Sequence, residues 1–377
     1  MRISVAKSVV TLREAAPRLK VMSKEPVHVQ QVNPIEPAAE HRKLRPKLGS
    51  RSTLTWLVLM IGLFAFLLWN SGPEATGELL LRVGWAAIPL VIVPHGLVIV
   101  FEAFGWWFAF PRNGCLITVT KITRFVVAAK AIQLITPSIS QAGELLKIYL
   151  LRFAGLTSEI SVSSVIAAKT TITMAELLFL SLGLAAIVTQ VAVESALVAS
   201  ATVGILMLCV AVAAIVAWQR TGFFRPIVWL SKRLGMFTAL RYRYQQVMSR
   251  TDVLLREYWN NPTRLYLSGI GYFLAWFSGA LEAWAFLSIL GLTNDFLSAL
   301  LVQVWLVLVT RLTAFIPGNV GAHEAAIVTM FSFLGLGTDS AMAFALLRRI
   351  RQIVWIALGL GLLVKIPRAQ RVPLLAD

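Results

Sequence analysis

Long apolar stretches separated by short polar ones run through the chain from Leu54 to Val364. Leu54–Trp69, Trp85–Phe110, Ser164–Val188, Ala196–Trp218, Leu265–Leu292 and Ala341–Val364 each come close to, or exceed, the run of about 20 apolar residues that carries a helix across a bilayer. Two more apolar stretches, Cys115–Arg152 and Phe296–Gly337, fit poorly as single helices. Each is broken near its middle by a Pro/Gly-rich polar run, "ITPSISQAGE" in the first and "FIPGNVGAHE" in the second. Broken helices at membrane depth are tolerated where protein or a water-filled cavity surrounds the freed backbone groups. Both stretches therefore read as hairpins, either re-entrant or made of two short spans.

The polar connections orient these elements. Connections assigned to the outside carry Glu74, Glu78, Glu194, Asp295 and Asp339 against the single cation Arg82. Those assigned to the inside are basic: residues 1–51 hold eleven Lys/Arg against four acids, and Arg220–Arg264 hold nine against two. That asymmetry is the positive-inside rule, and it puts both termini in the cytoplasm. It also has the two hairpins enter from opposite faces.

Composition agrees with the pattern. Of the 377 residues, 58% are hydrophobic and 14% charged, with a mean hydropathy of +0.75, where a soluble domain carries about 25% charged residues. The net charge of +17 would suit nucleic acid, but its placement beside membrane spans argues for anionic lipid and against nucleic acid. Cys115 and Cys209 are far apart and have no metal-ligand spacing. No His/Cys/carboxylate set points to a metal site, no Walker or Gly-rich phosphate loop appears, and no cofactor is expected.

Four segments result. Residues 1–52 form a basic cytoplasmic tail, largely disordered in expectation, and 53–191 a first membrane repeat. Residues 192–366 form a second repeat that includes the basic loop 219–264, and 367–377 a cytoplasmic tail. Within the loop, "RPIVWLSKRLGMFTALRYRY" spaces its apolar residues for an amphipathic helix on anionic lipid.

The two repeats also match in sequence. Residues 180 apart pair Pro137 with Pro317, Ala142 with Ala322, Glu144 with Glu324, Glu102 with Glu282, and Lys169 with Arg349. With so few charges in the spans, three charge matches at one offset point to an internal repeat. Each half reads span, span, hairpin, span, and the halves begin on opposite sides. The expected fold is an all-α polytopic membrane protein with an inverted-topology repeat. In that architecture sites lie near the midplane, where the interrupted segments meet.

"ITPS…GE" with "LLKIYLLR", then "FIPGNVGAHEAA", then "ALLRRIRQIVWIALGL" resemble the lysylphosphatidylglycerol synthase transmembrane region family, flippase-like proteins of bacterial inner membranes. The likeness spans roughly Leu54 to Val364 and is most specific at Pro317, Gly318, Gly321 and Glu324. The run Leu-Arg-Arg-x-Arg is similar to a branch found with hopanoid biosynthesis. The resemblance implies movement of a lipid or lipid-linked headgroup between leaflets. No aminoacyl-transferase domain lies within these residues, so lipid synthesis by the chain alone is not expected.

Ionisable groups at bilayer depth cost on the order of 2.5–3.5 kcal/mol each on insertion scales, and mark functional sites or buried pairs. The candidates for lipid binding or transport are Glu324, Glu144, Arg348, Arg349, Arg351, Lys169, Glu102, Glu282 and Arg311, with Lys130 and Glu176 beside them. Glu144 and Glu324 fit two roles, a functional carboxylate or a cap on the following half-helix. The arginines fit either bidentate phosphate binding or pairing with Glu324 or Glu282. Pro137, Gly143, Pro317, Gly318, Asn319 and Gly321 are the helix-break residues, and His95 and His323 read as isolated. Two other functions stay open at this point, an intramembrane enzyme with Glu324 as general base and a non-transporting partner of lipid-biosynthetic enzymes. No catalytic motif favours the enzyme.

Overall fold

The computed structural model describes residue 84 and residues 87–111, 117–136, 141–190, 195–233, 238–313 and 321–365. The span expected at Leu54–Trp69, both tails, and the break residues Pro137, Pro317, Gly318 and Asn319 lie outside the described residues. Among the described residues every regular element is a helix. They are α1 (Ala87–Phe108), α2 (Val119–Ile135), α3 (Ala142–Phe153), α4 (Ser158–Gln190), α5 (Ser195–Gly222), α6 (Arg225–Arg233), α7 (Thr238–Trp259), α8 (Pro262–Ile289), α9 (Phe296–Leu312), α10 (Ala322–Phe333) and α11 (Thr338–Lys365). Three stretches are long and apolar enough to cross a membrane: Ser158–Ala186, Thr202–Gly222 and Pro262–Ile289. Ile92–Phe108 and Phe296–Leu312 are shorter apolar helices.

Local chemistry sets several ends. Asn261 caps α8 by accepting the Arg264 amide, with Pro262 at the first helical position. Asp295 caps α9, its carboxylate accepting the Leu297 and Ser298 amides at 3.1 and 2.9 Å. The Ser298 amide, then its hydroxyl, hold the Asp295 carboxyl below its ordinary range. At the ends of α3 and α10, Gly155 and Gly335 take positive φ (94° and 70°). The next amides, of Leu156 and Leu336, reach back to the carbonyls of Leu151 and Phe331, as helix-terminating glycines allow.

Those two ends fall 180 residues apart, and so do the bounds of α3 and α10 and the starts of α4 and α11. The matched helices α1 and α8 pack along each other and run antiparallel. His95 meets Glu282, Gly105 meets Gly271, and Arg264 donates to the Phe110 carbonyl, so α1 rises as α8 falls. The two come very close in the middle. A Cβ on Gly271 would lie 2.7 Å from the Gly105 nitrogen, and the Ser268 hydroxyl donates to the Gly105 carbonyl at 2.8 Å. Small residues that let backbones approach are the usual means of helix association in lipid.

One apolar core gathers around Trp106, Phe110, Leu150, Leu151 and Tyr272, a second around Phe286, Phe331 and Phe344, and a third around Phe179 and Val304. α5 instead exposes Val203, Leu206, Met207 and Val210, a surface suited to hydrocarbon. The stretch of the basic loop read as amphipathic falls on two helices, α6 and α7, and the residues between them, and α7 continues past it to Trp259. α6 exposes Ile227, Trp229 and Leu230. α7 turns its apolar face inward: Tyr258 and Trp259 are buried, the Tyr258 hydroxyl is 2.7 Å from that of Thr171, and Trp259 donates to Gln219.

Candidate functional site

The site is built from charged residues on long apolar helices. On α1, Glu102 is buried, and its carboxylate lies 2.7 Å from the Lys130 ammonium of α2 and 3.6 Å from Lys147 of α3. Glu144, in the first turn of α3, lies 3.3 Å from Lys147 one turn on and 3.5 Å from Lys169 of α4. Two carboxylates thus hold three lysines in the first half.

A second cluster repeats the theme with arginine. Glu282 of α8, 1% exposed, accepts from Arg351 and from His95 Nδ1 at 2.9 Å, and lies 3.9 Å from Arg348 Nε. Glu324 of α10 accepts from Arg349 Nε at 2.8 Å, while its other oxygen accepts the Gly321 amide at 2.7 Å. Arg349 also donates to Gln352, and Arg348 to Gln303 at 3.0 Å. The pairs Lys169–Glu144 and Arg349–Glu324 are therefore the same contact at the offset of 180. Between the clusters, Glu176 of α4 receives both Nε and Nη2 of Arg311 of α9, tying the halves together.

A cavity of about 330 Å³ opens among these groups. Its walls draw on α1 to α4 and on α8 to α11, and none of its lining residues comes from α5, α6 or α7. Lys130, Lys147, Lys169, Arg311 and Arg348 reach it, with Glu102 and Glu144. Tyr272, Gln303, Thr310 and His323 add neutral hydrogen-bonding groups. Its volume lies in the range of small-ligand sites, about 300–1,000 Å³.

Of the residues singled out from sequence, Glu102, Glu144, Lys169, Arg311 and Arg348 line this cavity, and so does Lys130. Glu282, Glu324, Arg349 and Arg351 are not among its lining residues and form the charge network behind Arg348. Glu324 both caps and pairs. Among the break residues, Gly143 is buried against α2, where a Cβ would sit 2.9 Å from the Ala129 carbonyl oxygen. Gly321 has φ of 83° and donates its amide to Glu324.

One of the two histidines read as isolated is not. His95 joins the Glu282 cluster across 187 positions of sequence, and His323 stands on the cavity wall. Lys147 and Gln303 had not been singled out. Lys147 could have been found as the residue three after Glu144, one turn along the same face.

The family model for the lysylphosphatidylglycerol synthase TM region matches residues 54–361. No curated protein and no solved structure matches the chain.

Proposed function

The chain belongs to the lysylphosphatidylglycerol synthase TM region family, and on that premise we propose that it moves a lipid headgroup between the leaflets of a bacterial inner membrane. The observation that carries this reading is the charged cavity, shared by eight helices of both halves. A headgroup crossing the bilayer needs polar partners at a depth where lipid offers none, and the cavity offers them. The acyl chains would stay outside, along the apolar helix faces.

In this reading the halves form an inverted repeat with both termini cytoplasmic. The antiparallel packing of α1 on α8 and the recurrence of Lys169–Glu144 as Arg349–Glu324 support that arrangement. The Glu176–Arg311 bridge joins α4 of one half to α9 of the other. The basic loop, with α6 exposing Trp229 and Leu230, would rest on anionic lipid at the cytoplasmic face.

Reconstitution into liposomes tests the function. A fluorescent lipid placed in one leaflet should lose its asymmetry only when protein is present, and should be recovered chemically unchanged. No transfer above protein-free vesicles would refute translocation. Recovery of a modified lipid would favour the enzyme instead.

A further inference from the structure

The charge around the cavity does not balance. The two clusters and the bridge hold seven Lys/Arg against five Glu. On the cavity wall itself the excess is larger, five cations to two carboxylates. Among the described residues, His95 from α1, His323 from α10 and Tyr272 from α8 are further titratable side chains that face this region. Uncompensated positive charge inside a low-dielectric bundle is costly, and an anion in the cavity would offset it.

Arg348 gives an independent sign of where that anion sits. Its side chain is nine-tenths buried and lines the cavity. Nη2 donates to Gln303, but Nε and Nη1 make no hydrogen bond among the described residues. The nearest carboxylate, Glu282, is 3.9 Å from Nε and is already engaged by Arg351 and His95. A buried guanidinium with two unmatched nitrogens is poised for an acceptor of several oxygens, which a phosphate provides.

We propose that the cavity is a phosphate site: it takes the phosphate of an anionic lipid headgroup, with Arg348 as the principal donor and Lys130 and Lys169 balancing charge. The proposal rests on reading the cavity as the headgroup site, and it adds the sign and chemistry of the cargo. A cationic amino headgroup would add charge of the kind already in excess. A zwitterionic one would leave the excess uncorrected.

Binding to the purified full chain in detergent tests this separately from transport. The probes are short-chain phosphatidylglycerol, short-chain phosphatidylcholine and inorganic phosphate, titrated calorimetrically. Phosphatidylglycerol should bind at least tenfold more tightly than phosphatidylcholine. Arg348→Gln should weaken it at least tenfold and weaken phosphatidylcholine, whose phosphate is already balanced by its own choline, by less. Should that variant not fold, Lys169→Gln, on the more exposed side of the wall, should weaken phosphatidylglycerol several-fold. Equal binding of the two lipids, or indifference to both substitutions, overturns the proposal. Tight binding of inorganic phosphate without phosphatidylglycerol would assign the site to a soluble anion and overturn the lipid source. Selective phosphatidylglycerol binding without transfer in liposomes would sink translocation alone, and transfer blind to headgroup charge would sink this inference alone.

Discussion

Glu324→Gln offers a clean measure of what the broken hairpin costs and what offsets it. The Glu324 side chain is 4% exposed and has two tasks: one oxygen accepts from Arg349 Nε at 2.8 Å, and the other accepts the Gly321 amide at 2.7 Å. Glutamine can keep the cap, because its carbonyl still accepts from Gly321, but it loses the charge opposite Arg349. Removing one partner of a buried pair costs about 3–5 kcal/mol. Gln352 still accepts from Arg349 at 2.9 Å, which places the expected loss near the lower end, about 3 kcal/mol. Glu324→Ala removes the cap as well and should cost about 1 kcal/mol more. In the double variant Glu324→Gln with Arg349→Gln no charge is left unpaired, so its cost should fall at least 2 kcal/mol short of the summed single costs, within the range of coupling for residues in contact. Unfolding of the purified variants in mixed micelles, followed by helix content as denaturing detergent is raised, gives these differences. A Glu324→Gln protein within 1 kcal/mol of the parent, or single costs that simply add, would show that the pair does not stabilise the hairpin as argued.

Three further outcomes follow from the structure. Gly271→Ala should cost roughly 1–3 kcal/mol by overpacking, because its new methyl would meet the backbone of Gly105 at 2.7–2.8 Å; an unchanged unfolding midpoint would mean that α1 and α8 are not so close. Asp295→Ala should remove about 1 kcal/mol of capping from α9, and because the parent's carboxyl is held below its ordinary value of 3.8, that increment is present above pH 3.8 and lost as pH falls through the lower, folded value; a variant with the same acid dependence as the parent would remove the cap from the account. With Cys115 and Cys209 replaced, a single cysteine at Asp339 should react with an impermeant reagent from outside and one at Ser231 only from the cytoplasm; labelling of both from one side would exclude the inverted arrangement.

Much of the helical layout was legible because a bilayer imposes simple demands. Apolar runs marked the cores of α1, α4, α5, α8 and α11, but not their ends. α4 begins at Ser158, six residues before the apolar stretch, and its first turn carries Glu159, whose carboxylate reaches to 4.0 Å from Arg250 of α7. A helix need not stop where its apolar stretch stops, so hydropathy alone misplaces its limits. In the basic loop the amphipathic reading stopped at Tyr244, and α7 runs on past it to bury Tyr258 and Trp259 among α4 and α5.

The charged residues of the site were conspicuous because each is costly at depth, and the offset of 180 grouped them into counterparts. Their partners were not legible. His95 finds Glu282, and Glu176 finds Arg311 135 residues away, through packing between helices that no local pattern encodes. The neighbours His323 and Glu324 show the limit most sharply. Successive residues on a helix point about 100° apart, so only one of the two can face the cavity. Which one depends on how α10 is turned as it leaves the break, and a short amphipathic pattern after an irregular segment does not fix that rotation. The cap does. Glu324, third in its helix, reaches back to the Gly321 amide and across to Arg349, and that leaves His323 on the cavity wall. The carboxylate that stands out most in the sequence therefore holds the frame of the hairpin, and the cavity is left to residues such as Arg348 whose donors it does not occupy.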